Sequence, residues 1–216
     1  MTETVYRRLV SSDVSGEHVD RHVFACVIAV VRGEPAQPPA VPLTHALGLA
    51  PDALAALFAA YFPAALDLLP WMAEDEGEGE MALEEDDLRR LLLSHAAGQR
   101  PDEEGWLAHI IARRSIAGAN HLWQDLGLRD RGDLSALMGR HFPGLVALNA
   151  GDMKWKKFFY RTLCQLEGVV ICKSPNCETC DDYSLCFSRE EGDSLVFAPT
   201  AVPASAGPAP QRARCP

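Results

Sequence analysis

Cys172, Cys177, Cys180 and Cys186 fall within fifteen residues, in the spacing C-x4-C-x2-C-x5-C. Thiols gathered on so short a stretch need a cation, or bonds between the sulfurs, to hold them together. The leading triplet has the spacing of plant-type iron–sulfur ligation. Structural zinc loops more often use two close pairs separated by a dozen or more residues. Here only Cys177 and Cys180 make a close pair, and five residues separate Cys180 from Cys186. The spacing therefore favours one compact loop around a single inorganic centre. An iron–sulfur cluster is its first reading and zinc the competitor. Disulfides rank last, because seven cysteines is an odd number and the first residues hold no continuous apolar signal segment. The longest apolar stretch, Phe24 to Val31, has eight residues, against the roughly 20 that span a bilayer. The expectation is a cytoplasmic protein, where thiols stay reduced and clustered cysteines mean metal or redox chemistry.

Two further side chains could join the loop. Cys164 lies on the helix before it. At about 100° per residue, Trp155, Phe158, Phe159, Leu163 and Leu166 share the core face of that helix, with Lys154, Lys157 and Arg161 opposite. Cys164 falls among the bases, where a thiol ionises more readily than in a core. Its functional reading is an accessory ligand or acceptor thiol; its plain reading is a half-buried bystander. His121 stands four residues before Asp125, an imidazole–carboxylate pair of the kind that backs metal ligands. The same pair serves equally as a local hydrogen bond or helix cap. The remaining histidines have no ligand-like grouping with the cysteines, and Cys26 sits on an apolar helical stripe as a small core residue.

The elements that must position this loop read as helices. Helical periodicity predicts segments over 20–32, 52–62, 87–97, 102–117, 121–126, 134–141 and 154–167. Alternating β-branched runs are nearly absent, apart from Gly168-Val169-Val170-Ile171 leading into the cysteines. The fold class is all-α, a single helical domain over 18–190 with the metal loop at 172–186. Residues 1–17 read as a flexible N-terminal segment and 191–216 as a disordered tail rich in Pro and Ala. An internal echo points to a duplicated helical unit. Leu47-Gly48-Leu49 followed by Leu54, Leu57 and Tyr61-Phe62-Pro63 recurs as Leu126-Gly127-Leu128, then Leu134, Leu137 and His141-Phe142-Pro143.

The formal charge of −10 is unevenly placed, since nine acids and no base lie between Glu74 and Asp87. Without those nine the chain stands at −1, so the acidity describes one solvated loop (74–83) and a helix start rather than the whole surface. Four bases on the helix before the loop either balance the thiolates and the loop acids or guide an oxyanion such as molybdate, or a nucleic-acid phosphate, toward the site. They are too few to indicate nucleic-acid binding.

The run His121-Leu122-Trp123-Gln124-Asp125-Leu126-Gly127-Leu128, then Phe142-Pro143, Asn149, Met153-Lys154-Trp155-Lys156-Lys157-Phe158-Phe159-Tyr160-Arg161, Leu163-Cys164 and the four-cysteine loop, resembles the NifQ family of nitrogen-fixation proteins. The resemblance spans roughly residues 105–188 strongly and reaches more loosely back to the Phe24 helix. It implies a molybdenum carrier in iron–molybdenum cofactor biosynthesis, not an enzyme. Such a carrier holds a molybdenum-containing iron–sulfur cluster on Cys172, Cys177, Cys180 and Cys186. It takes molybdate or a Mo–S species as cargo, with a NifEN-type assembly scaffold and the nitrogenase iron protein as partners. Within that reading, three loop cysteines bind iron and one corner stays exchangeable, with Cys164 or His121 as the labile ligand.

The rivals are an all-α DNA-repair-type protein with a C-terminal cluster, and a helical protein with a structural zinc site. The first needs a basic surface and a Gly-rich hairpin before a catalytic Asp, neither of which is found here. Neither nucleic acid nor membrane is expected as a partner. Hydrolase and Walker signatures are missing as well.

Overall fold

The computed structural model describes residues 2–11, 19–33, 41–68, 83–168, 177 and 180–197. Every regular element among the described residues is a helix, with no strand among them. In chain order the helices are α1 (Thr2–Val10), α2 (Val19–Gly33), α3 (Leu43–Leu47), α4 (Pro51–Tyr61), α5 (Leu83–Ser94), α6 (Pro101–Ala117), α7 (Leu122–Asp125), α8 (Arg131–His141), α9 (Pro143–Leu148), α10 (Trp155–Leu166) and α11 (Tyr183–Phe187). A short 3-10 segment, Pro63–Leu68, follows α4. Proline opens α4, α6 and α9 at the first helical turn, where its missing N–H costs nothing and its fixed φ suits the helix. Asp130 caps α8 by accepting a bond from the Asp133 amide.

Two expectations at the ends of the chain are corrected. Residues 2–10 form a helix, not a flexible segment: α1 packs on α2 and buries Leu9 completely. Residues 191–197 do not begin a disordered tail. Val196 is buried against Ala29 and Val30, and the Phe197 ring stacks on His22. The acidic loop over 74–82, the Gly-Val-Val-Ile run beyond Gly168 and residues 198–216 lie outside the described residues.

The sequence echo is a structural repeat, and it is longer than the echo. Phe24-Ala25-Cys26-Val27-Ile28-Ala29 on α2 answers Leu107-Ala108-His109-Ile110-Ile111-Ala112 on α6. Each long helix is followed by a short one (α3 and α7) and then a Leu-Gly-Leu turn with glycine in the left-handed region, φ +65 at Gly48 and +70 at Gly127. Each turn then docks on the opposite repeat's long helix. A Cβ at Gly48 would lie 3.1 Å from Arg113 Cβ on α6, and one at Gly127 would lie 2.6 Å from the Cys26 carbonyl oxygen on α2. The next helix, α4 or α8, ends in a fully buried phenylalanine. Phe62 and Phe142 share one backbone conformation (φ −136, ψ 48 and φ −131, ψ 52). The preceding residue closes the unit by reaching the start of the other long helix. Tyr61 Oη donates to Glu103 at 2.8 Å, and His141 Nε2 lies 2.9 Å from Asp20 Oδ1. The final helices of the two units, α5 and α10, pack on each other.

The core formed between the units is continuous and rich in aromatic and leucine side chains. Phe24, Tyr61 and Trp106 join α2, α4 and α6, with ring centroids 5.0 to 6.3 Å apart. Burying each such side chain contributes about 1.5–3 kcal/mol.

Candidate metal centre

The turn before α10 is fixed first. Asn149 Oδ1 accepts the Met153 amide at 2.9 Å, while its Nδ2 donates to the Met153 carbonyl at 2.9 Å. Arg131 Nη2 reaches the Asp152 carboxylate at 2.7 Å and the Met153 carbonyl at 3.1 Å. Asp152 is thereby held at φ +54, a left-handed conformation that a non-glycine residue keeps only when its surroundings insist on it. Burial alone would lower Arg131's proton affinity, but Asp152 and Glu190 outweigh it and raise the guanidinium above its ordinary value.

α10 starts from this clamp and seats Trp155, Phe158 and Phe159 in the core as a tilted and edge-on cluster with centroids 5.5 to 5.9 Å apart. The expected stripe does not run the length of the helix. Leu163 is half-buried and Leu166 is 71% exposed, because the last turn extends past the packed body. Cys164, placed by periodicity on the side of the bases, is nevertheless buried, at 9% exposure. The face opposite the aromatics is therefore covered at that level.

The bases on α10 have divided duties. Lys156 Nζ donates to Asp125 Oδ2 at 2.5 Å and to the Gly118 carbonyl at 2.7 Å, tying α10 to the turn before α7. Lys154 Nζ donates to Ser188 Oγ at 2.9 Å, and Lys157 is exposed. Arg161 Nη1 donates to Cys177 Sγ at 3.6 Å, within reach of an N–H···S bond. At the other end of the helix the Lys154 amide donates to the Cys186 carbonyl at 2.8 Å. α10 therefore holds the cysteine loop at two places, by a backbone carbonyl near its first residue and by a sulfur two turns on. Between them the Cys180 amide bonds the Cys177 carbonyl at 3.2 Å, and the Tyr183 amide bonds the Cys180 carbonyl at 3.1 Å. Those turns lead into α11, where the Tyr183 and Phe187 rings stack 4.5 Å apart. Cys186 and Phe187 rest against the core.

Cys172 lies outside the described residues, and among those described no three Cys, His, Asp or Glu side chains stand close enough to hold a metal ion. The donors suit iron and sulfide in kind: soft thiolates, with a guanidinium against one of them to balance charge.

His121 and Asp125 do not form an imidazole–carboxylate pair. His121 Nδ1 lies 3.6 Å from Glu190 Oε1, while Asp125 faces Lys156 and the Asn120 side chain, the latter at 3.1 Å. Gln124 Oε1 accepts the His121 amide at 3.2 Å, so His121 opens α7 as a helix start. Glu190 also meets Arg131 at 3.0 Å. Gln124 Nε2 donates to the Asp193 carbonyl at 3.0 Å beside Gly192, where a Cβ would lie 2.5 Å from that nitrogen. The segment after Cys186 is thus a strap stitched across α7 and α8. Sequence reasoning gave Gln124 no role beyond the family resemblance and passed over Arg131 and Glu190, because the partners of all three lie far away along the chain. Burial pushes the Cys26 thiol up, with Asp133 adding to the effect, in keeping with an inert core residue.

A family model, NifQ, matches residues 23–188, from within α2 through the cysteine loop and α11. The Protein NifQ homolog of Sinorhizobium fredii (strain NBRC 101917 / NGR234) is 41% identical over 81% of this chain and 74% of its own length. Protein NifQ of Rhodobacter capsulatus is 41% identical over 69% of this chain and 79% of its own. Protein NifQ of Klebsiella pneumoniae is 50% identical over 46% of this chain and 59% of its own. No solved structure matches.

Proposed function

The chain belongs to the NifQ family of nitrogen-fixation proteins, and from that premise we propose that it carries molybdenum, as part of a molybdenum-containing iron–sulfur cluster, to the assembly of the nitrogenase iron–molybdenum cofactor. The cluster is cargo rather than a resident cofactor, and the protein is a carrier, not a catalyst. Cys172, Cys177, Cys180 and Cys186 are its ligands. Its partners are a NifEN-type scaffold and the nitrogenase iron protein.

The observation that carries this reading is the seating of the cysteine loop on α10, with Arg161 against Cys177 Sγ and the Lys154 amide on the Cys186 carbonyl. A carrier must grip soft metals and then let them go. Thiolates supply the grip. Molybdenum that is already bonded to sulfide needs no new sulfur chemistry on delivery. Placing the ligands on a loop rather than between core helices keeps release independent of the fold, since local opening there leaves the buried aromatics undisturbed. No helix among the described residues is long and apolar enough to cross a membrane.

Protein isolated without oxygen from molybdenum-replete cells is expected to contain both iron and molybdenum, with a sulfide-to-iron chromophore. Colourless protein with one zinc per chain, or protein with neither iron nor molybdenum, overturns the proposal.

A further inference from the structure

The residues that enter α10 and those that leave α11 are tied side by side. The Lys154 amide donates to the Cys186 carbonyl at 2.8 Å, and Lys154 Nζ donates to Ser188 Oγ at 2.9 Å. One side chain spans the same junction from a third element. Arg131, the first residue of α8, turns Nη2 to Asp152 Oδ1 at 2.7 Å, to the Asp152 carbonyl at 3.2 Å and to the Met153 carbonyl at 3.1 Å. Its Nη1 pairs with Glu190 Oε2 at 3.0 Å. A guanidinium suits this bridge because its rigid fork presents several donors in one plane. The Glu190 side chain is 4% exposed, and a carboxylate so deeply placed keeps its charge only beside a partner. Seating the strap therefore requires the guanidinium, and the guanidinium is itself held by the turn before α10.

From these contacts we infer that Arg131 is a latch, a positioning residue that keeps the strap and α11 seated at the entrance of α10 whether or not the protein carries a metal. No thiolate takes part in it. The backbone at Cys186 thus keeps its place when the protein is empty, and the entropy of ordering that segment is spent before a metal arrives rather than on binding it. That use rests on the reading of the protein as a carrier; the latch itself does not.

Residue-resolved amide hydrogen exchange on the metal-free full chain tests it, with circular dichroism to check that each variant is folded. The Lys154 amide reports the bond to Cys186, and the Met153 amide reports the turn held by Asn149. Both should be protected in wild type. R131Q should speed exchange about tenfold at both amides. E190A should do so at Lys154 and leave Met153 as in wild type, because Arg131 still holds Asp152 and Met153. The buried Ile111 on α6 is the control and should not change. The double variant R131Q/E190A should exchange no faster at Lys154 than R131Q, since both changes cut one connection. Should R131Q not fold, E190A decides the matter by itself through the split between Lys154 and Met153. An unprotected Lys154 amide in metal-free wild type overturns the inference. So does wild-type exchange at Lys154 in either single variant, an additive rise in the double variant, or an equal rise at Ile111, which would make Arg131 a plain support of the whole fold. Absence of iron and molybdenum from the native isolate would defeat the carrier reading and leave the latch to be decided by exchange.

Discussion

The unit from α2 to α5 and the unit from α6 to α10 are built to one plan and end differently. Both have a long helix with small residues at matching places, a left-handed glycine turn pressed on the other unit, a buried phenylalanine after an aromatic or histidine, and a final helix at the shared seam. In the first unit the final helix is occupied by structure. Glu85 on α5 is buried between Arg89, at 2.7 Å, and Arg113, at 2.8 Å. In the second unit the final helix buries three aromatics on one side, and its Arg161 side chain and the Lys154 amide meet the cysteine loop. On the proposed reading the helical repeat is scaffold, and the metal chemistry is an addition to one copy. Function lives in a site carried by a fold rather than in the fold itself.

The sharpest way to break this division is to remove the loop's sulfurs. Replacing Cys172, Cys177, Cys180 and Cys186 together by serine should abolish iron and molybdenum binding, read by elemental analysis. Helical content and the urea midpoint should stay close to wild type. Collapse of the helical signal would mean that the loop is part of the scaffold after all.

The two closing contacts between the units give the next largest effect. Asp20 is fully buried and meets Arg100 at 3.0 Å and Arg140 at 2.5 Å besides His141. The matching contact at the other closure is the Tyr61–Glu103 phenol–carboxylate bond. D20A leaves three cationic or imidazole groups without their carboxylate and should cost about 3–5 kcal/mol in urea unfolding. Y61F removes one hydrogen bond and should cost about 0.5–1.5 kcal/mol. Equal losses would refute the asymmetry.

That asymmetry has a pH signature. Burial alone would raise the Asp20 carboxyl, but His141 and then Arg140 outweigh it and hold it below its ordinary value. Asp133 is likewise held low against its burial by Arg129. A carboxyl whose pKa is lower in the folded state adds stability that is complete above the unfolded value, about 3.9. That stability is lost as pH falls through the lower folded value. Unfolding free energy should thus decline from about pH 4 downward, and D20N should show a shallower decline from a lower starting point.

The smallest effect compares the two turns. An alanine at either glycine meets the left-handed penalty of about 1–2 kcal/mol. At Gly48 the nearest atom is the end of the Arg89 side chain at 3.0 Å, whereas at Gly127 it is the Cys26 carbonyl at 2.6 Å. G127A should therefore lower the thermal midpoint more than G48A, because backbone cannot swing aside.

Much of this molecule was legible before any coordinates. Val23, Val27 and Val30 on one helix and Trp106, Ile110 and Ile111 on the other recur at helical spacing, so α2 and α6 were readable nearly to their ends. The Leu-Gly-Leu and Phe-Pro echo exposed the repeat because turns that dock on a neighbour tolerate few residue types. The longer match between α2 and α6 escaped notice, since Cys26 against His109 and Val30 against Arg113 disguise equivalent positions. α1 and the strap at 188–197 were missed for a different reason. α1 is amphipathic but only nine residues long, too short to be stable without a neighbour, the strap has no regular period, and both owe their form to contacts with α2, α7 and α8.

Residue type and spacing alone were enough to specify an all-helical, internally repeated chain carrying four thiols on one short loop, because periodicity and ligand spacing are local properties of the polymer. Only the assembled fold decided that Asp20, Glu85, Glu104 and Asp125 are buried, that Cys164 is covered while Leu166 is exposed, and that Arg161 donates to Cys177 Sγ. A charged side chain can be buried only where partners distant in sequence compensate it, and no short-range pattern encodes where those partners will stand.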